Sequence, residues 1–383
     1  MGLTLSRMRD VFVVGIGLHR YQRPGPTTYV ELGLTAIRSA LADAGILWQA
    51  VESAYIGTAL LGMGSGGSML RYLGATGLAI THVENASASG STAFRQACID
   101  VASGTSDVAI AIGIDKAAPV SPGSSMTGIE SLTGSVMTPA AMFALVAQEY
   151  MHKHDVNAEQ IAAVAVKNHN NAAQNPFAHF QKKRTLEEVL QAVPIAGPLT
   201  RLQCCPFSEG AAVAIVGSEK AIQDLGMDLS RAIRVVSSVS TSEIIPEAGQ
   251  SAVTEQTRQC AARAYKEADM GPDQMDIIEV HDAFTIEELM YTEALGLCEE
   301  GEGARLLASG ATKIGGRCAV SPSGGLLAMG HPFGPTGIGQ IVEITRQLRG
   351  EAGPRQHPDA HYGLAHMVGI GPVCLIHILQ KPN

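Results

Sequence analysis

A chain of 383 residues with 46% hydrophobic and only 16% charged side chains can close a large core, and its 42 glycines and single tryptophan fit a globular interior, not a fibrous or disordered chain. A net charge of −9 without any concentrated basic stretch excludes nucleic acid and anionic membrane as natural partners. Seven scattered cysteines, odd in number and without a CxxC pair, argue against a disulfide framework or a zinc site and suggest a reducing cytoplasm.

The opening MGLTLSRMRDVFVVGIG carries basic residues, but its apolar run is short and ends in glycine. It reads as a first strand, not as a signal peptide. Apolar runs elsewhere are broken before about 18 residues, so no membrane helix is expected. TTYVELGLTAIRSALADAGI has apolar residues at helical spacing and stops at Gly45. AYIGTAL and DVAIAIGID are strands, and this βαβ rhythm predicts a parallel or mixed sheet covered by helices on both faces. From about Ala118 to Leu202 the chain is richer in Ser, Pro, Asn and His, with two predicted helices, PAAMFALVAQEYMHKH and NAEQIAAVAVKNHNNAA. This stretch reads as an insertion lying over a core domain. Strand signals return at EGAAVAIVGS and IRVVSSVS; a second αβ unit opens near Ser251, with DIIEVHDAF as its first clear strand and HYGLAHMVGIGPVCLIHIL as its last hairpin.

The two parts echo each other. Ser87-Ala-Ser-Gly90-Ser-Thr92 is matched at equal spacing by His331-Pro-Phe-Gly334-Pro-Thr336, with Gln96 and Gln340 at the same further offset. Each segment precedes a run long enough for a helix. A duplicated fold would bring two helix N-termini to one seam, each with a reactive side chain at its entrance.

Four segments carry groups able to do chemistry. In VENASASGSTAFRQA a Ser/Gly turn opens an apolar helix, where unpaired N–H groups and the helix dipole favour a nucleophile or an oxyanion, although such turns also serve as plain N-caps. In GGLLAMGHPFGPTG, Gly330 and Pro332 flank His331 next to a helix start, a place where an imidazole can act as a base. EVHDAFT puts His281 and Asp282 at a strand end, where ligands meet open sheets. GLAHMVGIG brings His366, Gly369 and Gly371 before a terminal strand.

Taken together and in this order, the segments resemble the thiolase superfamily over essentially the whole chain. HDAF points to the branch of the sterol-carrier-protein thiolases and their bacterial relatives. The resemblance implies an α/β thiolase fold of two similar mixed-sheet halves, layered α/β/α/β/α. The halves would be 1–250, containing an inserted loop domain at about 119–204, and 251–383. It also implies roles: Ser87 at the place of the acylated nucleophile, His331 as the base that activates it, and His281 as the group binding an enolate oxygen. The backbone N–H groups of Gly369 and Ser87 would form the oxyanion hole. Coenzyme A would be a substrate, with no further cofactor or metal. A homodimer is expected, and a small partner chain with a zinc ribbon and an OB-fold is compatible with this branch.

Two departures qualify these roles. Relatives use cysteine at position 87, because a thiolate is both a good nucleophile and a good leaving group. The second cysteine, which moves the α-proton, lies in relatives near HDAF or in the C-terminal Gly-rich loop; here those places hold Ala283 and Met367. His366 is the neighbouring candidate for that base. The expected activity is an acyl-CoA acyltransferase that makes or cleaves a 3-oxoacyl-CoA by Claisen chemistry, impaired by Ser87. The alternatives are a retro-aldol lyase acting on a 3-hydroxyacyl-CoA, and a non-catalytic acyl-CoA-binding subunit of a hetero-complex.

Overall fold

The computed structural model describes residues 4–116, 138–243, 245–247, 251–370 and 373–382. Most of the Ser/Pro-rich opening of the expected insertion, and Gly371, lie outside them. Strands β1 (Phe12–Gln22), β2 (Ser53–Gly57), β3 (Ala79–Val83), β4 (Val108–Asp115) and β5 (Glu209–Gly217) are followed by β6 (Ile233–Ser242), β7 (Ile277–Glu279), β8 (Ala319–Val320), β9 (Tyr362–Gly369) and β10 (Val373–Gln380). They form one sheet in the order β8-β7-β9-β10-β6-β1-β5-β4-β2-β3.

Read outward from the β6/β1 junction, the two sides of this sheet are alike. The first runs β1-β5-β4-β2-β3 and the second β6-β10-β9-β7-β8. On each side the inner two ladders are antiparallel and the outer two parallel. The junction itself is thin, pairing only Phe12 with Arg234 and Val13 with Ile233. By contrast β6 pairs with β10 from Ser242↔Val373 to Arg234↔Gln380. Strand β6 therefore belongs by its ladder to the second side, and the sequence boundary at residue 250 falls after it.

Helices complete the layers. The main ones are α1 (Tyr29–Ala44), α2 (Ser89–Ser103), α3 (Pro139–His154), α4 (Ala158–Ala172), α5 (Ala252–Ala268), α6 (Thr285–Ala294) and α7 (Phe333–Arg349). A Thr28/Glu31 capping box starts α1, and Gly45 at φ +70° ends it, as its spacing predicted. It covers one sheet face through Leu32, Ile37 and Leu41. Helix α5 covers the second side through Cys260, Ala264 and Tyr265. Between them α2 and α7 share one core, where Phe94, Ala97 and Val101 meet Ile338, Ile341 and Val342. Helix α7 is buried nearly all round, as a helix in a middle layer must be. Glycines let the two middle helices touch at their N-termini: a Cβ on Gly90 would stand 2.0 Å from the carbonyl oxygen of Gly334.

The described part of the insertion lies over the second side. Helix α4 buries Lys167 against Glu288 at 3.0 Å, and Asn168 Nδ2 donates to Asp282 Oδ2 at 2.7 Å. No helix among the described residues is long and apolar enough to cross a membrane.

Candidate active site

The duplicated layout brings the entrances of α2 and α7 side by side. Before α2 the chain turns sharply: Ala86 takes a left-handed φ of +49°, Ser89 Oγ donates to its carbonyl at 2.7 Å, and Asn85 N–H donates to Ser89 Oγ at 2.9 Å. A non-glycine residue in that region is uncommon, and here it lifts the next residue, Ser87, to the helix entrance. Before α7 the turn is made by Gly330 at φ +112°, and His331 follows.

The hydrogen bonds fix the tautomer of His331. Thr336 Oγ donates to the Pro332 carbonyl at 2.6 Å, so its oxygen accepts the Nδ1–H of His331 at 2.9 Å. Nε2 is left with its lone pair, and Ser87 Oγ donates to it across 3.1 Å. Burial, reinforced by the neighbouring His281, holds the His331 imidazole well below its usual pKa. The imidazole is thus neutral and oriented, with its accepting nitrogen on the serine hydroxyl.

His281 stands across from His331, with ring centroids 5.3 Å apart and nearly perpendicular planes. Its Nδ1 lies 3.2 Å from Glu287 Oε1, while its buried Nε2 has no hydrogen-bond partner among the described residues. Glu287 is itself held by the Phe284 N–H at 2.9 Å and the Tyr291 hydroxyl at 3.3 Å. Gly369, at the end of β9, backs onto the serine turn: a Cβ there would come within 2.3 Å of the Asn85 carbonyl oxygen. Only glycine allows that approach.

Ser87, His281, His331 and Gly369 line one cavity of about 530 Å³. Its wall is apolar, built from Met142 and Phe143 of α3 with Phe207, Phe284 and Phe333. Phe143 and Phe284 stack at 4.9 Å. A neighbouring hollow of about 580 Å³ shares Cys205, Pro206 and Phe207 with this wall and carries Arg23, Arg184 and Arg201.

Two residues singled out in the sequence lie elsewhere. His366 is fully buried behind His281: its Nδ1 accepts the His281 N–H at 3.4 Å and its Nε2 meets Thr257 Oγ1 at 3.0 Å. Burial, then His281, push it down to about 3, and it does not reach the cavity. Asp282 points away too, accepting from Asn168 and from the Leu326 N–H at 2.7 Å, so it ties the site to α4. Burial and the nearby Glu288 push its carboxyl up. Sequence reasoning missed Thr336, Glu287 and Cys205. The signal for Thr336 was present, since it pairs with Thr92 in the internal echo.

Comparison with known proteins agrees with this fold. Residues 25–185 match the thiolase N-terminal domain and residues 237–379 the thiolase C-terminal domain-like family. Sterol carrier protein 2 of Rattus norvegicus is 35% identical over 403 residues, spanning 99% of this chain and 73% of its own length. Benzoylsuccinyl-CoA thiolase subunit BbsB of Thauera aromatica is 37% identical over 372 residues, 95% of each chain. Among solved structures, an Ltp2-ChsH2(DUF35) aldolase superposes with a TM-score of 0.85 at 25% identity, covering 97% of this chain and 98% of that one. Human mitochondrial 3-ketoacyl-CoA thiolase in complex with CoA shares the fold, with a TM-score of 0.76 at 18% identity and full coverage of both chains (100% each).

Proposed function

The chain belongs to the thiolase family, and from that premise we propose that it makes or breaks the C2–C3 bond of a 3-oxoacyl-CoA, passing the acyl group through Ser87. The observation that carries this reading is the Ser87–His331–Thr336 chain, in which a neutral imidazole accepts from the serine and is held in that tautomer from behind. As Ser87 Oγ attacks the 3-oxo carbon, Nε2 takes its proton. The N–H groups of Ser87 and Gly369 receive the developing oxyanion. In this reading His281, backed at Nδ1 by Glu287, donates its Nε2–H to the thioester oxygen of the departing enolate. The apolar wall takes the acyl chain.

Coenzyme A is an anion and the chain carries −9, so local cations are needed. In this reading Arg23, Arg184 and Arg201, which line the adjoining hollow, receive its phosphates. A serine ester is more stable than a thioester, so return of the acyl group to CoA is slow in this chain. The reading is tested by incubating the protein with a 3-oxoacyl-CoA and CoA and following loss of the 3-oxoacyl-CoA enolate absorbance. Turnover that His331→Ala abolishes supports it, and its absence on 3-oxoacyl-CoAs of every chain length contradicts it.

A second reading is favoured by one specific observation: neither Ser87, Ala283 nor Met367 supplies a thiol, and Met367 is buried in the core away from the cavity. A retro-aldol lyase acting on a 3-hydroxyacyl-CoA needs a base and an oxyanion site but no acyl-enzyme, and an aldolase is among the similar structures. Release of a ketone or aldehyde from a 3-hydroxyacyl-CoA, with no turnover of 3-oxoacyl-CoA, selects it. The assembly we propose is a homodimer, and sedimentation at micromolar concentration tests it.

A further inference from the structure

Cleavage at C2–C3 of either substrate leaves an electron pair on C2, which has to receive a proton. The groups described so far are committed elsewhere. His331 gives Nδ1–H to Thr336 and needs Nε2 for the attacking or leaving oxygen. His281 directs Nε2 at a substrate oxygen, the Glu287 carboxylate accepts from its surroundings, and the Tyr291 hydroxyl donates to Glu287. Glu243 sits exposed at the rim.

One thiol lines the cavity among the described residues, that of Cys205. It arrives from the segment before β5, far in sequence from HDAF, yet the two segments are joined. Cys205 N–H donates to the Ala283 carbonyl at 2.7 Å, and Cys204 forms an antiparallel bridge with Phe284. Cys205 therefore stands beside Ala283, and both residues line the cavity. An independent feature marks the same place as one built for a ligand: His281 is only 8% exposed, and its Nε2, without a partner among the described residues, belongs to the same cavity.

We infer that Cys205 is the catalytic acid and base for the proton at C2 of the acyl-CoA. This rests on the carbon–carbon reading above but serves both of its forms. As C2–C3 breaks and its electron pair remains on C2, the S–H bond of Cys205 breaks and a C–H bond forms at C2, leaving a thiolate. In acyl transfer the thiolate takes the proton of the incoming thiol as that thiol attacks the Ser87 ester, and His331 returns to Ser87 the proton it took. In the lyase, the thiolate recovers its proton from His331, which took it from the 3-hydroxyl. Burial, with Glu287 and Cys204 nearby, pushes the thiol up, so it holds its proton at neutral pH until the carbanion forms.

The test is hydrogen–deuterium exchange at C2 of acetyl-CoA and propionyl-CoA in D₂O, followed by mass spectrometry across pH, since exchange requires no acyl transfer. Wild-type protein is expected to catalyse exchange that rises with pH. Cys205→Ala is expected to lose about a hundredfold or more of it while still binding acyl-CoA, and Ala283→Cys added to Cys205→Ala restores part of it by putting a thiol back in the same space. Wild-type exchange in Cys205→Ala overturns the assignment, as does a loss of exchange matched by an equal loss of acyl-CoA binding, which marks a structural residue. A wild-type protein that neither exchanges C2 nor cleaves 3-oxo- or 3-hydroxyacyl-CoA overturns the carbon–carbon reading itself, and the assignment falls with it.

Discussion

The turns that open α2 and α7 sit at equivalent places in the two sides of the sheet, and they share a local device. In each, a threonine donates to the carbonyl four residues back, Thr92 to Ala88 at 2.9 Å and Thr336 to Pro332 at 2.6 Å. In each, the same hydroxyl oxygen then accepts from a side chain of the preceding turn. On the first side that side chain is the Asn85 amide, at 2.9 Å, which braces the turn bearing Ser87. On the second it is His331 itself. One anchoring pattern therefore holds a loop in one case and an imidazole in the other. In the acyl-transfer reading proposed above, the duplicated fold draws a nucleophile and its base from equivalent positions by changing what the threonine grips.

The comparison can be broken most forcefully at the nucleophile. Ser87→Cys is expected to raise thiolysis of a suitable 3-oxoacyl-CoA by several orders of magnitude and to make position 87 reactive to iodoacetamide, because a helix N-terminus favours a thiolate. The dipole is worth only about 0.3–2 kcal/mol, too little to ionise an aliphatic hydroxyl. Steady-state rates of the two proteins on one substrate check this. His331→Ala, at the equivalent turn, is expected to lower acylation of Ser87 by about 10²–10⁴-fold, the usual worth of a general base. Single-turnover kinetics read it.

The threonines test the comparison directly. Thr336→Val frees the tautomer of His331 and is expected to slow acylation by about tenfold, equivalent to roughly 1.4 kcal/mol, with Thr336→Ser restoring it. Thr92→Val is expected to leave the rate nearly unchanged and to cost about 1 kcal/mol of stability in denaturant unfolding. Equal rate losses in both would mean that the anchoring pattern is purely structural. The smallest expected effect concerns pH. A free imidazole stops acting as a base as pH falls through about 6.5. His331 is held well below that by burial and His281, so its neutral form persists and acylation should show no acid limb near pH 6.5. A limb at that pH in pre-steady-state acylation would contradict the buried, oriented base.

Ser87 and His331 were singled out by the resemblance of their contiguous turns to the thiolase pattern, because read alone a Ser/Gly turn fits a plain helix cap equally well; the fold then brings the two side chains to 3.1 Å. Thr336 stood within the internal echo, but its role depends on a side-chain bond that spacing does not reveal. Glu287 and Cys205 were harder. Glu287 is seen as part of the site only once α6 folds back beside His281, and Cys205 reaches the cavity through a bridge between segments eighty residues apart (Cys204 and Phe284). His366 misleads for a related reason: it occupies a strand buried on both faces, where proximity in sequence to Gly369 says nothing about which side chain meets the cavity. The strand signal of β6 was clear, whereas its membership of the second side is fixed only by its ladder with β10.

The central claim is that Ser87, activated by His331, carries the acyl group. The most direct test is the intact mass of the protein after incubation with a 3-oxoacyl-CoA, followed by peptide mapping. An oxygen ester is slow to return its acyl group to CoA, so the account predicts an adduct of the acyl mass on the peptide containing Ser87, absent in Ser87→Ala and in His331→Ala. An unmodified Ser87 in a protein that cleaves a 3-hydroxyacyl-CoA and releases a ketone or aldehyde would contradict it.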